Sequence, residues 1–146
     1  MGVLISNRQS KIRITQKKIV QKAQAILNAL DSPDAELSIV IVDDANIAEL
    51  NKQYLNRSGP TNVIAFPMRT GDFSDIMPHL LGDVVISAET ARQEAEAMGI
   101  RFSLRLSELL VHGVLHLFGY DHEKSEKESD RMQQKSDDLM GVIAGL

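Results

Sequence analysis

The segment from about Ser103 to Phe118 leaves the rest of the chain little freedom. Leu104, Leu106, Leu109, Leu110, Val111, Val114, Leu115, Leu117 and Phe118 occupy nearly every side of a helix drawn through it. Such a helix is buried on most faces, so the remaining elements must wrap around it. Into this apolar rod the sequence places His112 and His116, and residues at i and i+4 stack on one face. Gly119 stands where a helix-ending C′ residue allows a sharp reversal, and His122 follows it closely enough to swing back to the same point. An unpaired imidazole is costly to bury, and a shared metal ion removes that cost. Three imidazoles with an open fourth position fit a catalytic zinc site and not a closed structural one.

The chain has no cysteine, which excludes disulfides, thiolate zinc sites and a cysteine nucleophile. A metal here must rely on imidazole and carboxylate. The spacing H-x-x-x-H-x-x-G-x-x-H is that of the metzincin proteases. Those enzymes carry a general-base Glu directly after the first His, where this chain has Gly113. A zincin-like metallopeptidase is therefore disfavoured, and a non-catalytic factor with a structural metal is the other alternative. Asp121 is a candidate to orient an imidazole or accept a proton, with a turn role as its alternative. Arg57 and Arg69 flank an apolar strand and are candidate anion contacts, or simply solvated loop charges. His79 is a lone loop histidine.

The other segments are shorter and more strongly patterned. Val3–Ser6 and the β-branched run Leu37–Val42 read as strands, as do Asn62–Phe66 and Asp83–Ser87. Thr15 is placed to cap a helix reaching about Leu30, with Ile19, Ala23, Ile26, Leu27 and Leu30 on one face. Asp43 or Asp44 caps a helix aligned on Ile47, Leu50 and Tyr54. Ser87 caps one that ends at Gly99, and Ser125-Glu126-Lys127-Glu128 is a capping box opening the last. Residues 67–81 read as a long loop, and loops of that length are often functional. The order predicts a single α+β domain, with one mixed sheet of about four strands packed with about five helices, including the zincin-like metal helix. The first βαβ unit should be a parallel crossover.

The net charge of −4 hides an asymmetry: residues 1–30 are +6 and the remainder −10. A basic segment on an acidic chain can be an anion-binding face, with Lys11, Arg13, Lys17 and Lys18 as candidate contacts; charge alone favours a solvated helix flank. No apolar run reaches the roughly 20 residues of a membrane span. The first residues lack a signal-peptide layout, so the expected location is the cytoplasm.

The run HGVLHLFGYDH (112–122) resembles the signature of the YbeY family of metal-dependent endoribonucleases. Leu50–Pro67 (LNKQYLNRSGPTNVIAFP) and Leu81–Ser87 (LGDVVIS) agree in order and spacing. The resemblance implies a single-strand-specific endoribonuclease acting in rRNA processing, at the 3′ end of the 16S rRNA, and in ribosome quality control. It implies one Zn2+ per chain on His112, His116 and His122. The partners it implies are rRNA, the small ribosomal subunit and ribosome-associated proteins such as the Era GTPase, with no membrane. The family typically has an Arg after the Tyr of the second segment. Here that position is Leu55, and Arg57 lies two residues on.

Overall fold

The computed structural model describes residues 2–68 and 80–146. Arg69, His79 and most of the expected long loop lie outside the described residues. The elements in chain order are β1 (Val3–Asn7), α1 (Gln16–Ala29), β2 (Glu36–Val42), α2 (Asp44–Leu55), β3 (Val63–Pro67), β4 (Leu80–Ser87), α3 (Ala88–Met98), α4 (Phe102–Leu117) and α5 (Glu126–Ile143). The strands form one sheet in the order β1-β2-β4-β3. β1, β2 and β4 are parallel and β3 is antiparallel to β4. The expected α+β fold with a mixed sheet is what is found, and α1 supplies the parallel connection between β1 and β2.

Alternation along the strands sorts the helices. Ile39, Ile41, Val84 and Ile86 belong to the main core, with side chains from α1, α3, α4 and α5. Val42 and Val85 point the other way and pack with Ile47 of α2 and Ile64 of β3. Among the described residues α2 alone covers that second face. α4 sits in the middle of the main core: Leu110, Val111, Val114 and Leu115 are each at most 2% exposed. At about 25 cal/mol per Å² of apolar surface removed from water, these residues anchor the helix without any metal.

The helix starts follow the sequence. Asp43 accepts from the Asn46 backbone N–H at 2.9 Å, Ser87 from Thr90 at 3.2 Å and Ser125 from Glu128 at 3.1 Å; each cap stabilises by about 1 kcal/mol. Thr15 occupies its N-cap position without a side-chain hydrogen bond. Asp44 is no cap. Its carboxylate accepts from Ser87 Oγ at 2.6 Å and Thr90 Oγ1 at 2.5 Å, tying α2 to the β4–α3 junction. β4 begins at Leu80, three residues before the expected start at Asp83. Gly82 interrupts the apolar pattern there, yet the strand runs through it. Its φ is +143°, and a Cβ at that position would strike the Phe66 carbonyl of the paired strand.

Candidate metal centre

α4 rests on the sheet through Gly113. A Cβ built there would lie 2.7 Å from Val84 Cγ1 and 3.2 Å from Val63 Cγ2. A residue without a side chain thus brings the helix close to β3 and β4. The helix ends as its sequence dictates: Gly119 has φ +94°, and its N–H bonds to the His116 carbonyl at 3.0 Å. The reversed chain is held by Tyr120, whose N–H reaches the Leu115 carbonyl at 3.1 Å and whose ring lies under Arg131 of α5 at 4.8 Å. That turn delivers His122 to the other two histidines.

The three rings converge. The Nε2 atoms of His112 and His116 are 3.0 Å apart, and one nitrogen from each of the three histidines lies within 4.8 Å of the others. The His122 ring centroid is 5.4 Å from His112 and 5.6 Å from His116. Among the described residues this is the sole such cluster of potential metal ligands. Burial, then the charges on His116, His122 and Arg105, lower the His112 pKa to about 4. Burial and the His122 charge lower that of His116, against the Asp121 and Glu123 carboxylates and a hydrogen bond to the Tyr120 backbone. Such a backbone partner holds a metal-ligating imidazole in orientation. Each of these neutral imidazoles, packed edge to face, has one ring nitrogen with a free lone pair, which is the state a divalent ion requires. The donor set therefore fits a borderline-soft ion such as zinc.

The lowered His112 pKa has a consequence for stability. Above about pH 6.5 the ring is neutral in both folded and unfolded chains and contributes nothing. Between there and about pH 4 the unfolded chain takes up a proton that folded His112 refuses, so acid destabilises the metal-free protein. Urea midpoints of chelator-treated protein should fall from pH 7 to pH 5, and fall less in His112→Gln. An equal fall in both proteins would remove His112 as the cause.

The structure brings the triad together with Asp121 beside it, and among the described residues no contact joins Arg57 or the basic N-terminal residues to it. Asp121 adjoins the centre and acts electrostatically on His116, while its Oδ1 accepts from the Glu123 N–H at 2.9 Å, so it is also a turn residue. Arg57 is exposed beyond α2, without a carboxylate partner among the described residues. Arg13 and Lys18 line a narrow crevice with Phe102 and Ser103. That is the start of α4, ten residues from His112 or about 15 Å along the helix. Lys17 is exposed, and Lys11 pairs with Glu89 at 3.3 Å. Sequence reasoning missed Arg105 and Glu108. They precede His112 by seven and four residues and so share its face, a spacing readable from the helix pattern alone.

Comparison with known proteins matches residues 4–144 to the family model described as Endoribonuclease YbeY. The Endoribonuclease YbeY of Geobacter sulfurreducens is 49% identical over 144 residues, covering 98% of this chain and 96% of the relative. That of Aquifex aeolicus is 40% identical, covering 97% and 91%. The solution structure of TM1509 from Thermotoga maritima superposes with a TM-score of 0.69 at 26% identity, covering 98% of this chain and 89% of that one.

Proposed function

The chain belongs to the YbeY endoribonuclease family, and from that premise we propose that it hydrolyses single-stranded rRNA, maturing the 3′ end of the 16S rRNA in the cytoplasm. The observation that carries the hydrolytic reading is the triad beside Gly113: three converging imidazoles, with the position after the first His turned into the sheet. A peptidase base at that position has no room. His112, His116 and His122 would hold one divalent ion, with zinc the best match to their chemistry. A metal bound there supplies Lewis-acid stabilisation of the charge that develops on a phosphodiester under in-line attack.

The chain's own residues do the rest. Desolvation keeps His112 neutral, so it stays a ligand at neutral pH. Asp121 places a negative charge beside His116 and is the proposed proton acceptor. Arg57, free of a carboxylate among the described residues, is proposed to meet the scissile phosphate in place of the Arg that the family has at Leu55. Arg13, Lys17 and Lys18, with Lys11 once released from Glu89, would follow the flanking backbone; Arg69 is proposed for the same role. The small ribosomal subunit and ribosome-associated proteins such as the Era GTPase are the proposed partners.

The test is cleavage of single-stranded rRNA fragments by purified protein. Cleavage should stop on chelation, return with added zinc and be absent in His112→Ala, which also controls for a contaminating nuclease. Affinity should fall with salt at a log–log slope of about −0.7 per phosphate contact, flattened when Arg13, Lys17 and Lys18 are neutralised. Equal cleavage by His112→Ala would sink the reading, and an unchanged slope would remove the basic segment from the RNA path.

A further inference from the structure

A crevice of about 120 Å³ opens where α1 meets the start of α4. It begins at Phe102, ten residues before His112, and opens on another side of α4 from the triad. Its lining is divided by polarity. Ile19, Ile86, Leu106 and Leu110 form a floor no more than 7% exposed. Arg13, Thr15, Lys18 and Ser103 are exposed at the rim.

The cations of this crevice are uncompensated. Arg13, Lys18 and Lys22 line it without an Asp or Glu, and none of the three pairs with a carboxylate among the described residues. Lys22 is half-buried and donates to Ser107 Oγ at 2.8 Å, which leaves two of its three N–H groups. Burial, then the Lys18 charge four residues back, lower its pKa. Like charges at i,i+4 repel on a helix, and an anion placed between them removes that repulsion. α1 and α4 both begin here with no acidic residue in the first turn, so their dipoles add to the positive potential. The field continues past the crevice on Lys17 and Arg101, both exposed and likewise without a carboxylate among the described residues.

We propose that this crevice seats one nucleotide of the RNA at a distance from the scissile bond, with its base against Phe102 and the aliphatic floor and its phosphate among Arg13, Lys18 and Lys22. This rests on the ribonuclease reading of the triad. The volume is well below the ~300 Å³ at which sites for drug-sized ligands begin, so the ring enters while sugar and phosphate stay on the rim. The floor offers a base edge little to read: its buried Ser107 hydroxyl already donates to the Ser103 carbonyl at 2.9 Å. Seating is therefore tolerant of sequence, because every base has a π-face. A polymer is favoured over a free nucleotide because unpaired cations run on beyond the crevice. An acidic peptide would meet the same charges, but cations set beside an aromatic ring are the pairing that single-stranded RNA sites use.

The test is binding of a fluorescent single-stranded oligonucleotide to chelator-treated protein, which separates binding from cleavage. Phe102→Ala should weaken binding about tenfold, the scale of one stacked base, for adenosine and uridine runs alike. Phe102→Leu keeps the packing against the core and should weaken it similarly, while Phe102→Tyr should restore it. Lys22→Gln should reduce the log–log salt slope by about 0.7, one phosphate contact. The backbone amide signals of Phe102 and Ser103 should shift with the oligonucleotide and hardly move with inorganic phosphate. Unchanged affinity in both weakening Phe102 variants, or an equal shift by inorganic phosphate, would overturn the base seat. So would a mononucleotide that binds as tightly as the oligonucleotide, which would mark a small-molecule site. Polyglutamate that displaces the oligonucleotide and shifts the same signals would assign the crevice to an acidic protein instead. If RNA is cut and the variants bind normally, the crevice falls alone. If the variants lose affinity but metal-loaded protein cuts no RNA, the ribonuclease reading falls and the nucleotide seat stands.

Discussion

His116→Ala protein should bind its metal more weakly by a hundredfold or more, because losing a ligand exceeds the 10–100-fold cost of losing a ligand's outer partner. The His116 Nε2 lies 3.0 Å from that of His112, and its ring centroid is 5.6 Å from that of His122. Its removal leaves two imidazoles, one of them on an exposed turn. The measurement is elemental analysis after dialysis, with affinity from competition against a chelator. Retention of full stoichiometry would remove His116 from the site. The fold should survive, because α4 is fixed by residues such as Val111, Val114 and Leu115, all fully buried and none of them dependent on the ion. A variant that loses metal and keeps its helix content marks the metal as a chemical group. One that unfolds would mark it as structural and favour an assembly factor over an enzyme. A further change should accompany the loss: without the His116 charge beside it, His112 should titrate closer to its ordinary value.

What was legible in the sequence is what is local. The triad was readable because two ligands lie one helical turn apart and the third follows a glycine turn, so no distant contact is needed to predict their meeting. Asp43, Ser87 and Ser125 were readable as caps for the same reason: each bonds within its own first turn. Asp44 shows the limit. Its neighbour took the cap, and its own partners, Ser87 and Thr90, lie more than forty positions away. The basic N-terminal segment was legible as charge but not as location, since the packing of α1 puts Arg13 and Lys18 at the far end of α4. A polar groove beside His112, between α4 and α5, was half legible. Glu108 shares the ligand face by spacing, but Gln133, Ser136 and Asp137 arrive there only because α5 packs on α4. Gly113 was legible as a position without a side chain, while its packing role depends on Val84 and Val63 from two strands.

Restoring the missing peptidase residue should destroy the protein instead of converting it. Gly113→Glu places a carboxylate where the metzincin pattern carries its base, yet the first atom of that side chain would lie 2.7 Å from Val84 Cγ1. Valine is stiff about χ1 and is held here in a strand, so it cannot swing aside. Overpacking of this kind costs about 1–3 kcal/mol. The remainder of the side chain would then lie between helix and sheet, where an unpaired carboxylate adds several kcal/mol more unless it is protonated. Against a usual total stability of about 5–15 kcal/mol, the variant should be largely unfolded at 37 °C. Gly113→Ala separates the two costs. It regains up to about 1 kcal/mol of helix propensity and suffers only the methyl clash, for a net loss of about 0–2 kcal/mol. Thermal melts of both variants against the parent give the order directly. A Gly113→Glu protein that melts like the parent would mean that position 113 does not face the sheet. If it also cleaved an unstructured peptide in a metal-dependent way, the case for phosphodiester over peptide chemistry would fall with it.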